Sequence, residues 1–528
     1  MNGRNPSLTR REFLYRAAAV GGTSLLLNTM NAWGMGIASR VSAPPALSGS
    51  GKGKKVVILG AGLAGLTSAY ELGKLGYQVQ VLEARAFAGG RCQTARKGFA
   101  LEELGGETQH CGYDEGHYLN HGPWRIPLDH QSTLYYTRLF DVPLEVMVND
   151  NDHAYVYLED AGPLSKQRLR GAQIKADMRG HVAELLAKSV KDHQLDTRLG
   201  RDDQALLLDY LVNEGALGSG DLAYKGRNGR GFAVNPGAGL SPGPGKASDP
   251  LAFGDLLAAK VGKVYSAVQE FPMHATMFQP VGGMDQIPRA FARRIGKTIR
   301  YNTLVERIRQ APDGVTIGCR DGVSGKLSTI RADYCLCTMP LSVLRMVDTD
   351  FSERFKAAVQ AVPYSPVGKI GLQMKRRFWE EDEQIYGGHV LTDIKGINTI
   401  SLPSGGWQQR KGVVLGYYNY SLDAIEVSAL TPAERTEFAL GAGEKIFPAY
   451  RDAFEQSFSV AWHRVRHSLG GWGEWTDETR RSAYPTLLEG EGRVLLAGEH
   501  LSYLTGWQAG AIESAWQQIE RLHRRASA

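Results

Sequence analysis

The sequence predicts a mixed α/β and α+β protein in which one βαβ domain is assembled from separate stretches of chain. A strand–turn–helix–strand unit occupies Lys55 to Leu82, and an apolar strand, Arg493 to Ala497, precedes a terminal helix near the other end. Such elements at both ends indicate one parallel sheet that the intervening chain interrupts. We therefore expect a discontinuous βαβ domain interleaved with a mixed-sheet domain and a helical domain.

Length and charge limit the number of domains and the kinds of partner that the protein can have. The 528 residues and a hydrophobic content of 43% suffice for several domains with large cores, about two to four by length. The formal net charge of +6 is uneven: residues 1–38 carry +3, residues 39–55 carry +4, and the remaining body carries −1. A basic leader before a near-neutral body gives no reason to expect nucleic-acid binding.

The leader predicts an export signal. The segment Thr9-Arg10-Arg11-Glu12-Phe13-Leu14 resembles a twin-arginine signal, and a weakly apolar segment, Ala17 to Ala38, follows it. Its Gly, Thr and Asn residues make it a poor membrane anchor. We expect residues 1–38 to be a signal peptide recognised by the twin-arginine export machinery, residues 39–53 to be a linker, and the protein to be periplasmic or secreted. The alternative is an arginine pair in an unstructured tail.

The βαβ unit carries a dinucleotide-binding fingerprint. After the strand Val56 to Leu59, Gly60, Gly62 and Gly65 have GxGxxG spacing, and the second strand ends at Glu83. The glycines permit a tight turn, close approach of backbone to a pyrophosphate, and close helix–strand packing. The helix N-terminus offers N–H groups and a positive dipole end to phosphates. An acid at Glu83 suits the adenosine ribose hydroxyls.

A second glycine turn, Gly89-Gly90-Arg91, follows the fingerprint and adds a cation. This extension is more typical of flavoproteins than of nicotinamide dehydrogenases, so the predicted cofactor is FAD. No second GxGxxG follows a strand anywhere in the sequence. One dinucleotide site indicates one redox cofactor, and oxygen is then the simplest acceptor for its electrons.

The first part of the middle region has helical patterns. They include Gln131 to Phe140, Gly180 to Val190 and a helix-like segment from Phe253 to Glu270. Residues 215–247 are rich in Gly, Asn, Ser and Pro, which predicts a long loop. Such a loop is either a lid or binding loop, or a mobile surface insertion.

Strand patterns follow at 296–338 and at about 365–475, and the last helix is expected from about Gly506 to Arg524. The cysteines are scattered and odd in number, without CxxC or Cys/His metal spacing. We therefore predict neither a disulfide framework nor a metal site, and interpret the cysteines as buried small hydrophobic residues. Two of them alternate within a strand pattern and should share one face. The cysteines are Cys92, Cys111, Cys319, Cys335 and Cys337.

These segments together resemble the flavin amine oxidase family, and within it the L-amino acid oxidases. The resemblance covers most of residues 54–135, 278–380 and 410–520, in the family's order, and fades across 150–275. The motifs that carry it are Gly60 to Gly65, Glu83, Gly89-Gly90-Arg91, Gly105-Gly106, Gly122-Pro123-Trp124-Arg125-Ile126-Pro127, Gly282-Gly283-Met284-Asp285, Lys369, Gly416-Tyr417, Trp462, Gly498-Glu499 and Gly506-Trp507.

The resemblance implies a Rossmann-like FAD-binding domain of the GR2 type. It would comprise residues 54–130, 278–345 and 486–528, with a helical region that admits substrate at 131–277 and a substrate-binding domain at 346–485. The implied cofactor-binding residues are Gly60, Gly62, Ala64, Gly65, Glu83, Ala84, Arg85, Gly90, Arg91, Gly122, Trp124, Arg125, Trp462, Gly498, Glu499 and Trp507.

Arg125 is the main indicator of an amino acid substrate. It lies in a Gly-Pro-x-Arg-x-Pro turn stiffened by Pro123 and Pro127, and a rigid guanidinium suits bidentate binding of a carboxylate. The alternative is a surface ion pair. By resemblance Tyr417 is a second carboxylate ligand, although Tyr418 or Tyr420 becomes the inward residue if the strand register differs.

The resemblance also implies roles beside the flavin. Gly506 and Trp507 would form the backbone carbonyl and aromatic wall around the substrate amine, and Trp462 an aromatic packed near the flavin. Lys369 opens an apolar strand, where a charged side chain needs a polar partner, and would hold a water at flavin N5 for reoxidation. The alternatives are core packing for the tryptophan and a solvent-reaching amine for the lysine. A general base is not identified, and His274 matches too poorly to be assigned that role.

The reaction implied by the resemblance is oxidation of an L-amino acid by hydride transfer from Cα to flavin N5. The imino acid hydrolyses to a 2-keto acid and ammonia, and O2 becomes hydrogen peroxide. The alternatives are a flavin amine or polyamine oxidase, an amino acid 2-monooxygenase, or a flavin-binding protein without turnover. The pocket for the side chain is expected within 150–275, so the preferred amino acid is not indicated. Family members are often dimers, which makes a homodimer an expectation.

Overall fold

The computed structural model describes residues 42–226, 228–241, 243–266 and 273–527. The predicted export signal and its apolar segment lie outside the described residues. Within these ranges, no helix combines the length and the apolar composition that crossing a membrane requires.

A five-stranded parallel sheet draws its strands from four distant stretches of chain. Its central strand is buried on both faces, with Val56 and Ile58 in one apolar cluster and Val57 and Leu59 in another. Helices on either side complete a doubly wound domain, which confirms the predicted fold class. The strand order is Ile299–Arg300, Gln78–Leu82, Lys55–Leu59, Tyr334–Cys337 and Val494–Leu496.

A seven-stranded mixed sheet forms the second large layer. One face packs on the helix Pro432–Glu444 through an apolar cluster that includes Ile370 and Leu372. The other face carries Leu415 and Val460 in a separate cluster beside the first domain. The strand order is Phe454–Ala461, Val367–Met374, Gly412–Tyr420, Thr399–Leu402, Gly388–Thr392, Tyr155–Tyr157 and Leu169–Arg170.

Smaller sheets join these layers. A four-stranded sheet has the order Leu327–Ala332, Gly314–Asp321, Thr303–Ala311 and Asp348–Thr349. Its first three strands lie within the strand region expected at 296–338, and the fourth lies beyond it. The two-stranded pairs are Phe232–Val234 with Lys246–Ala247, Leu144–Val148 with Thr276–Pro280, Ala95–Arg96 with Tyr118–Leu119, and Ala100–Glu102 with Thr108–His110.

Helices surround the two large sheets. The α-helices of the described residues are Leu63–Lys74, Gln131–Leu139, Gly171–Lys191, Arg201–Gly215, Phe253–Ala258, Val261–Ser266, Gln286–Ile295, Leu341–Leu344, Glu353–Gln360, Phe378–Glu381, Ser421–Ser428, Pro432–Glu444, Tyr450–Ala453, Asp477–Ser482, Tyr484–Glu489 and Gln508–Ser527. Short 3-10 helices lie at Gly162–Leu164, Asn228–Arg230, Gly296–Thr298, Trp462–Arg464 and Glu499–Leu501.

The predicted helix from Phe253 to Glu270 is wrong as a single element. It is two short helices, Phe253–Ala258 and Val261–Ser266, and residues 267–270 lie outside the described part of the chain. Lys260 between them has a φ of 52°, a left-handed conformation that interrupts an α-helix. The expectation for the cysteines is confirmed: all five are buried thiols, and Cys335 and Cys337 pack in the same cluster.

Arg230 anchors the glycine-rich loop to the helix Gly171–Lys191. Its Nε and Nη2 donate to the two carboxylate oxygens of Asp177 at 2.8 and 2.9 Å, and neither side chain is exposed. Asp177 also accepts from the Tyr224 hydroxyl at 2.6 Å and from the Leu251 backbone at 2.8 Å. A loop of low hydrophobicity is thereby held through one buried, fully bonded ion pair.

Replacing Arg230 with Met is expected to destabilise the protein by about 3–5 kcal/mol, because Asp177 would remain as a buried, unpaired charge. Chemical denaturation followed by tryptophan fluorescence measures the change. The matched control is Arg320→Met, which removes an ion pair to Glu306 that is exposed on both sides and should cost no more than about 1 kcal/mol. Equal losses in the two variants would contradict the anchoring role.

Candidate active site

The main cavity lies at the carboxyl ends of the parallel strands, where doubly wound sheets bind ligands. Three of its lining residues, Gly60, Glu83 and Thr338, directly follow these strands, and Gly498 lies two residues after the last one. The main cavity is lined by Gly60, Gly62, Leu63, Ala64, Leu82, Glu83, Ala84, Arg85, Gly89, Gly90, Arg91, Cys92, His121, Gly122, Pro123, Thr303, Leu304, Val305, Glu306, Thr338, Met339, Pro340, Val343, Val367, Lys369, Tyr418, Trp462, His467, Ser468, Gly471, Trp472, Gly498, Glu499, Gly506, Trp507, Gln508 and Ala511.

The glycine turn needs its glycines for distinct reasons. Gly60 has a φ of 103°, which side chains rarely adopt, and a Cβ at Gly65 would lie 2.0 Å from the Gly60 carbonyl oxygen. A Cβ at Gly62 would have only the Gly90 Cα within 4 Å, at 3.9 Å. Because Gly62 lines the main cavity, a side chain there would fill the space in front of the backbone.

The fingerprint helix presents its first turn to this space. Gly62 is the N-cap of the helix Leu63–Lys74 and has no side-chain cap, so N–H groups of the first turn remain available. Glu83 accepts hydrogen bonds from the backbone N–H groups of Ala61 at 2.8 Å and Arg85 at 2.9 Å. A carboxylate has further lone pairs beyond these two, and Glu83 lines the same cavity. Uncapped N–H groups and an adjacent acid fit a phosphate and a ribose.

The opposite end of the main cavity is organised by Glu499. Its carboxylate pairs with Arg91 Nη1 at 2.8 Å and accepts from the Gly506 N–H at 3.1 Å. Arg91 also donates to the Gly471 carbonyl at 2.7 Å. The last helix, Gln508–Ser527, begins beside these groups, so a second helix N-terminus faces the cavity. Its dipole favours negative charge at that point.

These features together satisfy the requirements of FAD. Its pyrophosphate would meet the backbone at Gly60 to Ala64, and its ribose Glu83. Its isoalloxazine ring would extend toward Lys369, Trp462 and the last helix, which line the far part of the same cavity. Among the described residues, no cluster of His, Cys, Asp and Glu side chains could hold a metal ion.

Lys369 is a buried amine held by carbonyl groups. Its side chain is 1% exposed, and Nζ donates to the Gly122 carbonyl at 2.5 Å and lies 3.4 Å from the Asn120 carbonyl. Nζ also lies 4.2 Å from the centre of the Tyr418 ring, a cation–π geometry when the amine is protonated. Burial lowers the pKa of Lys369 well below its ordinary value, and the charge of Arg125 lowers it further. The amine therefore belongs to the cavity wall and not to solvent.

Tyr417 does not line the main cavity, which corrects the sequence prediction. Its ring lies in the apolar cluster on the other face of the sheet, 1% exposed and 6.4 Å from the Phe438 ring centre. Tyr418 takes the inward position instead. The cause is a bulge: Ile370 pairs with Tyr417 but Gly371 pairs with Leu415, so Gly416 is an extra residue. An inserted residue reverses the alternation of faces along a strand.

Arg125 lies beside Tyr418 and Tyr420. Burial lowers the pKa of Arg125, and the two tyrosines oppose that shift. Its side-chain partners among the described residues are His389 Nε2, 3.4 Å from Nη1, and the Met273 thioether, 3.2 Å from Nη2. Neither is a carboxylate. Arg125 itself is not among the residues that line the main cavity, but its neighbour Tyr418 is.

His389 is a site residue that the sequence did not indicate. It stacks on Trp124 with ring centres 4.9 Å apart, lies 3.1 Å from Asn149 Oδ1, and hydrogen-bonds Ser401 Oγ through Nδ1. Burial and the neighbouring Arg125 charge lower the pKa of His389 to about 3, so the imidazole is neutral at working pH. No spacing signal exists for it, because it comes from a strand remote in sequence.

The other expected residues are placed as follows. Trp462 donates through Nε1 to the His121 carbonyl at 2.7 Å, and its ring stacks on the His121 imidazole with ring centres 5.6 Å apart. Trp507 contacts His130 edge to face at 4.8 Å. Gly65 and Trp124 are not among the residues that line the main cavity, and Trp124 lines a second cavity. His274 Nε2 is 3.3 Å from Asp129 Oδ1.

The middle region contributes less than expected. None of the described residues of 150–275 lines the main cavity, and the glycine-rich loop is not a wall of it. Among the described residues of this region, Met273 touches Arg125.

Replacing Lys369 with Met is expected to raise thermal stability at neutral pH. Between the lowered pKa of the folded protein and the ordinary lysine pKa of about 10.4, the unfolded chain binds more protons at this position. Stability of the native sequence should therefore rise with pH across that window, and the variant should lose this contribution. Melting temperatures over a pH series measure it.

The control for the Lys369 variant is Lys375→Met, since Lys375 is exposed just beyond the same strand. Its pH profile should follow that of the unmodified protein. Parallel profiles for Lys369→Met and the unmodified protein would mean that the buried amine stays charged on folding.

The doubly wound fold defines the class together with a cavity that has a phosphate and ribose site at one end and Lys369 and Glu499 at the other. That class is the FAD-dependent oxidoreductases. The chain belongs to the family of flavin containing amine oxidoreductases, which it matches over residues 63–522. Among curated relatives, it is 27% identical to a putative L-amino-acid oxidase of Bacillus subtilis (strain 168), covering 90% of this chain and 96% of that protein. It is also 27% identical to an L-amino-acid oxidase of Siganus canaliculatus, with 89% and 85% covered.

Solved structures show the same fold. Cyclohexylamine oxidase from Brevibacterium oxydans IH-35A aligns with a TM-score of 0.60 at 16% identity, over 90% of this chain and 100% of that one. A putrescine oxidase variant aligns with a TM-score of 0.60 at 16% identity, over 89% and 99%. At this identity the similarity establishes the fold alone.

Proposed function

We propose that this protein oxidises an L-amino acid. The reaction takes the amino acid, O2 and water and gives the 2-keto acid, ammonia and hydrogen peroxide. Bound FAD supplies the hydride-accepting and oxygen-reducing chemistry. The side chains of the protein bind and orient the substrate beside it.

One observation carries the proposal: Arg125 is a half-buried guanidinium that has no carboxylate partner among the described residues. Among the described residues its partners are a neutral imidazole and a thioether. A buried cation without a counterion is costly unless a ligand supplies one. A carboxylate of the substrate would satisfy it with two parallel hydrogen bonds.

Tyr418 completes the carboxylate site in this proposal. It lines the main cavity, and its electrostatic interaction with Arg125 shows that the two groups are neighbours. Burial raises the pKa of Tyr418, with the Arg125 charge opposing the shift, so the hydroxyl remains a donor at neutral pH. The Cα of the substrate would then lie near Lys369, with Gly506 and Trp507 beside its amine. Positioning of this kind supplies much of a rate enhancement.

The relatives support the same assignment. Curated proteins that match this chain nearly end to end include L-amino-acid oxidases from Siganus canaliculatus and Vipera ammodytes ammodytes. The second candidate is an oxidase of amines without a carboxylate. The solved amine oxidases share the fold, but at 16% identity that similarity indicates no substrate, and neither cyclohexylamine nor putrescine offers a carboxylate to Arg125.

A substrate panel tests the proposal. The FAD-loaded protein is mixed with each L-amino acid and, as matched control, with the amine that remains when its carboxylate is removed. Peroxide, ammonia and 2-keto acid should appear in equal amounts from amino acids alone. Turnover of the amines at comparable kcat/KM would contradict the proposal. An amide product with water in place of peroxide would indicate a monooxygenase, and no turnover of any amine or amino acid would indicate a binding protein.

The proposal includes export by the twin-arginine pathway, to the periplasm or the medium, and assembly as a homodimer. The motif around Arg10 and Arg11 supports export of a folded protein that has already bound its cofactor. Lysine at both positions should retain the protein in the cytoplasm, as cell fractionation would reveal. Sedimentation of the mature protein measures its oligomeric state.

A further inference from the structure

Met273 lies against the side chain that defines the proposed substrate site. Its Sδ is 3.2 Å from Arg125 Nη2, and the residue is half-buried, so small molecules can reach it. A thioether is only a weak acceptor. It therefore occupies one edge of the guanidinium without competing strongly for its protons.

We propose that Met273 is an oxidation site through which hydrogen peroxide lowers the affinity of the enzyme for its substrate. The inference rests on the proposed function, which supplies the peroxide within the same site. In the reaction Sδ attacks one peroxide oxygen and the O–O bond breaks. Sulfur is oxidised to the sulfoxide by two electrons, peroxide is reduced, and water leaves with both protons.

The consequence follows from the position of the new oxygen. Oxidation converts a flexible apolar side chain into a polar one, and a sulfoxide oxygen accepts hydrogen bonds far better than a thioether. Arg125 carries only donors. A sulfoxide oxygen at 273 would bind the guanidinium edge that the substrate carboxylate needs. Catalysis would then slow as peroxide accumulates, and a reductase acting on methionine sulfoxide would restore it.

Other methionines serve as internal comparisons. Met147, Met277, Met284 and Met374 are buried in the core, where peroxide reaches them slowly. Met346 is 63% exposed, and its thioether is not a partner of Arg125 among the described residues. Met339 lines the main cavity but is not a partner of Arg125 among the described residues. Met273 combines access with contact to a substrate-binding group, so oxidation at this position is expected to alter substrate affinity.

The experiment treats the FAD-loaded enzyme with added hydrogen peroxide, removes it with catalase, and follows each methionine by peptide mass spectrometry. KM for the best amino acid substrate should rise about tenfold as Met273 gains one oxygen, the effect of one lost charge-assisted hydrogen bond. Methionine sulfoxide reductase should reverse the rise. The variant Met273→Leu should keep its own starting KM through treatment, whereas Met346→Leu should respond like the unmodified enzyme.

The outcomes separate this inference from the proposed function. If amino acids yield peroxide but KM stays constant with Met273 fully oxidised, the inference fails alone. It also fails alone if Met273 stays unoxidised when Met346 is fully converted. If no amino acid yields peroxide in the substrate panel, the proposed function fails and this inference fails with it.

Discussion

Replacing Arg125 with Met is expected to lower kcat/KM for the best amino acid by about two to three orders of magnitude, the range for truncating one partner of a buried, hydrogen-bonded charge pair. The substrate carboxylate would enter an enclosed site without its counterion. Most of the loss should appear in KM, since the carboxylate is bound throughout the reaction. Steady-state peroxide release measures both constants.

Arg125→Lys is the companion variant. It keeps the charge but not the bidentate geometry, so its kcat/KM should lie between those of the other two proteins. The FAD content should be unchanged in all three. Any turnover of amines without a carboxylate should survive in Arg125→Met. An unchanged KM for the amino acid in Arg125→Met would remove the main support for an amino acid substrate.

Replacing Gly65 with Ala is expected to abolish retention of FAD. The added Cβ would lie 2.0 Å from the Gly60 carbonyl oxygen, a backbone atom that cannot move without shifting the turn. That turn positions the N–H groups of the first helical turn at the pyrophosphate. The ratio of flavin absorbance to protein absorbance after gel filtration should fall at least about tenfold, since a 1.4 kcal/mol loss already weakens binding tenfold.

Gly73→Ala is the matched control on the same helix. A Cβ at Gly73 would have no atom within 4 Å, and alanine favours a helix over glycine by about 0.5–1 kcal/mol. This variant should retain FAD and melt at the same or a higher temperature. Equal FAD retention by Gly65→Ala and Gly73→Ala would show that the close packing at the turn is dispensable.

Several parts of the fold could be predicted from the sequence because the patterns that indicate them are local. The glycine spacing at Gly60 to Gly65 and the acid at Glu83 lie within one βαβ unit, where chain order and spatial order coincide. The helices Gln131–Leu139 and Gly171–Lys191 were predicted in position, with boundaries off by up to nine residues. The predicted helix beyond Phe253 failed because periodicity does not reveal the left-handed residue Lys260.

The sequence predicted only part of the site. Arg125 and Lys369 could be singled out because a rigid Pro-flanked arginine and a lysine in an apolar strand conflict with their surroundings. Tyr418 could not be chosen over Tyr417, because the bulge at Gly416 leaves no mark on the apolar pattern. His389 and Met273 reach Arg125 from a remote strand and a remote loop. Contacts of that kind depend on how sheets and loops pack.

The sequence by itself indicated a dinucleotide-binding βαβ unit, because phosphate and ribose recognition depends on backbone shape within about thirty consecutive residues. The second glycine turn and the resemblance across most of the chain then indicated FAD and the class of protein. It also singled out Arg125 as a candidate ligand for a carboxylate. The tertiary structure decided which tyrosine accompanies Arg125, that Lys369 is enclosed, and that a methionine touches the guanidinium. The reason is physical. Residues between positions 120 and 420 come together around Arg125 only when the sheets and loops pack against one another. The one-residue bulge at Gly416 also reverses which face of its strand each following side chain occupies.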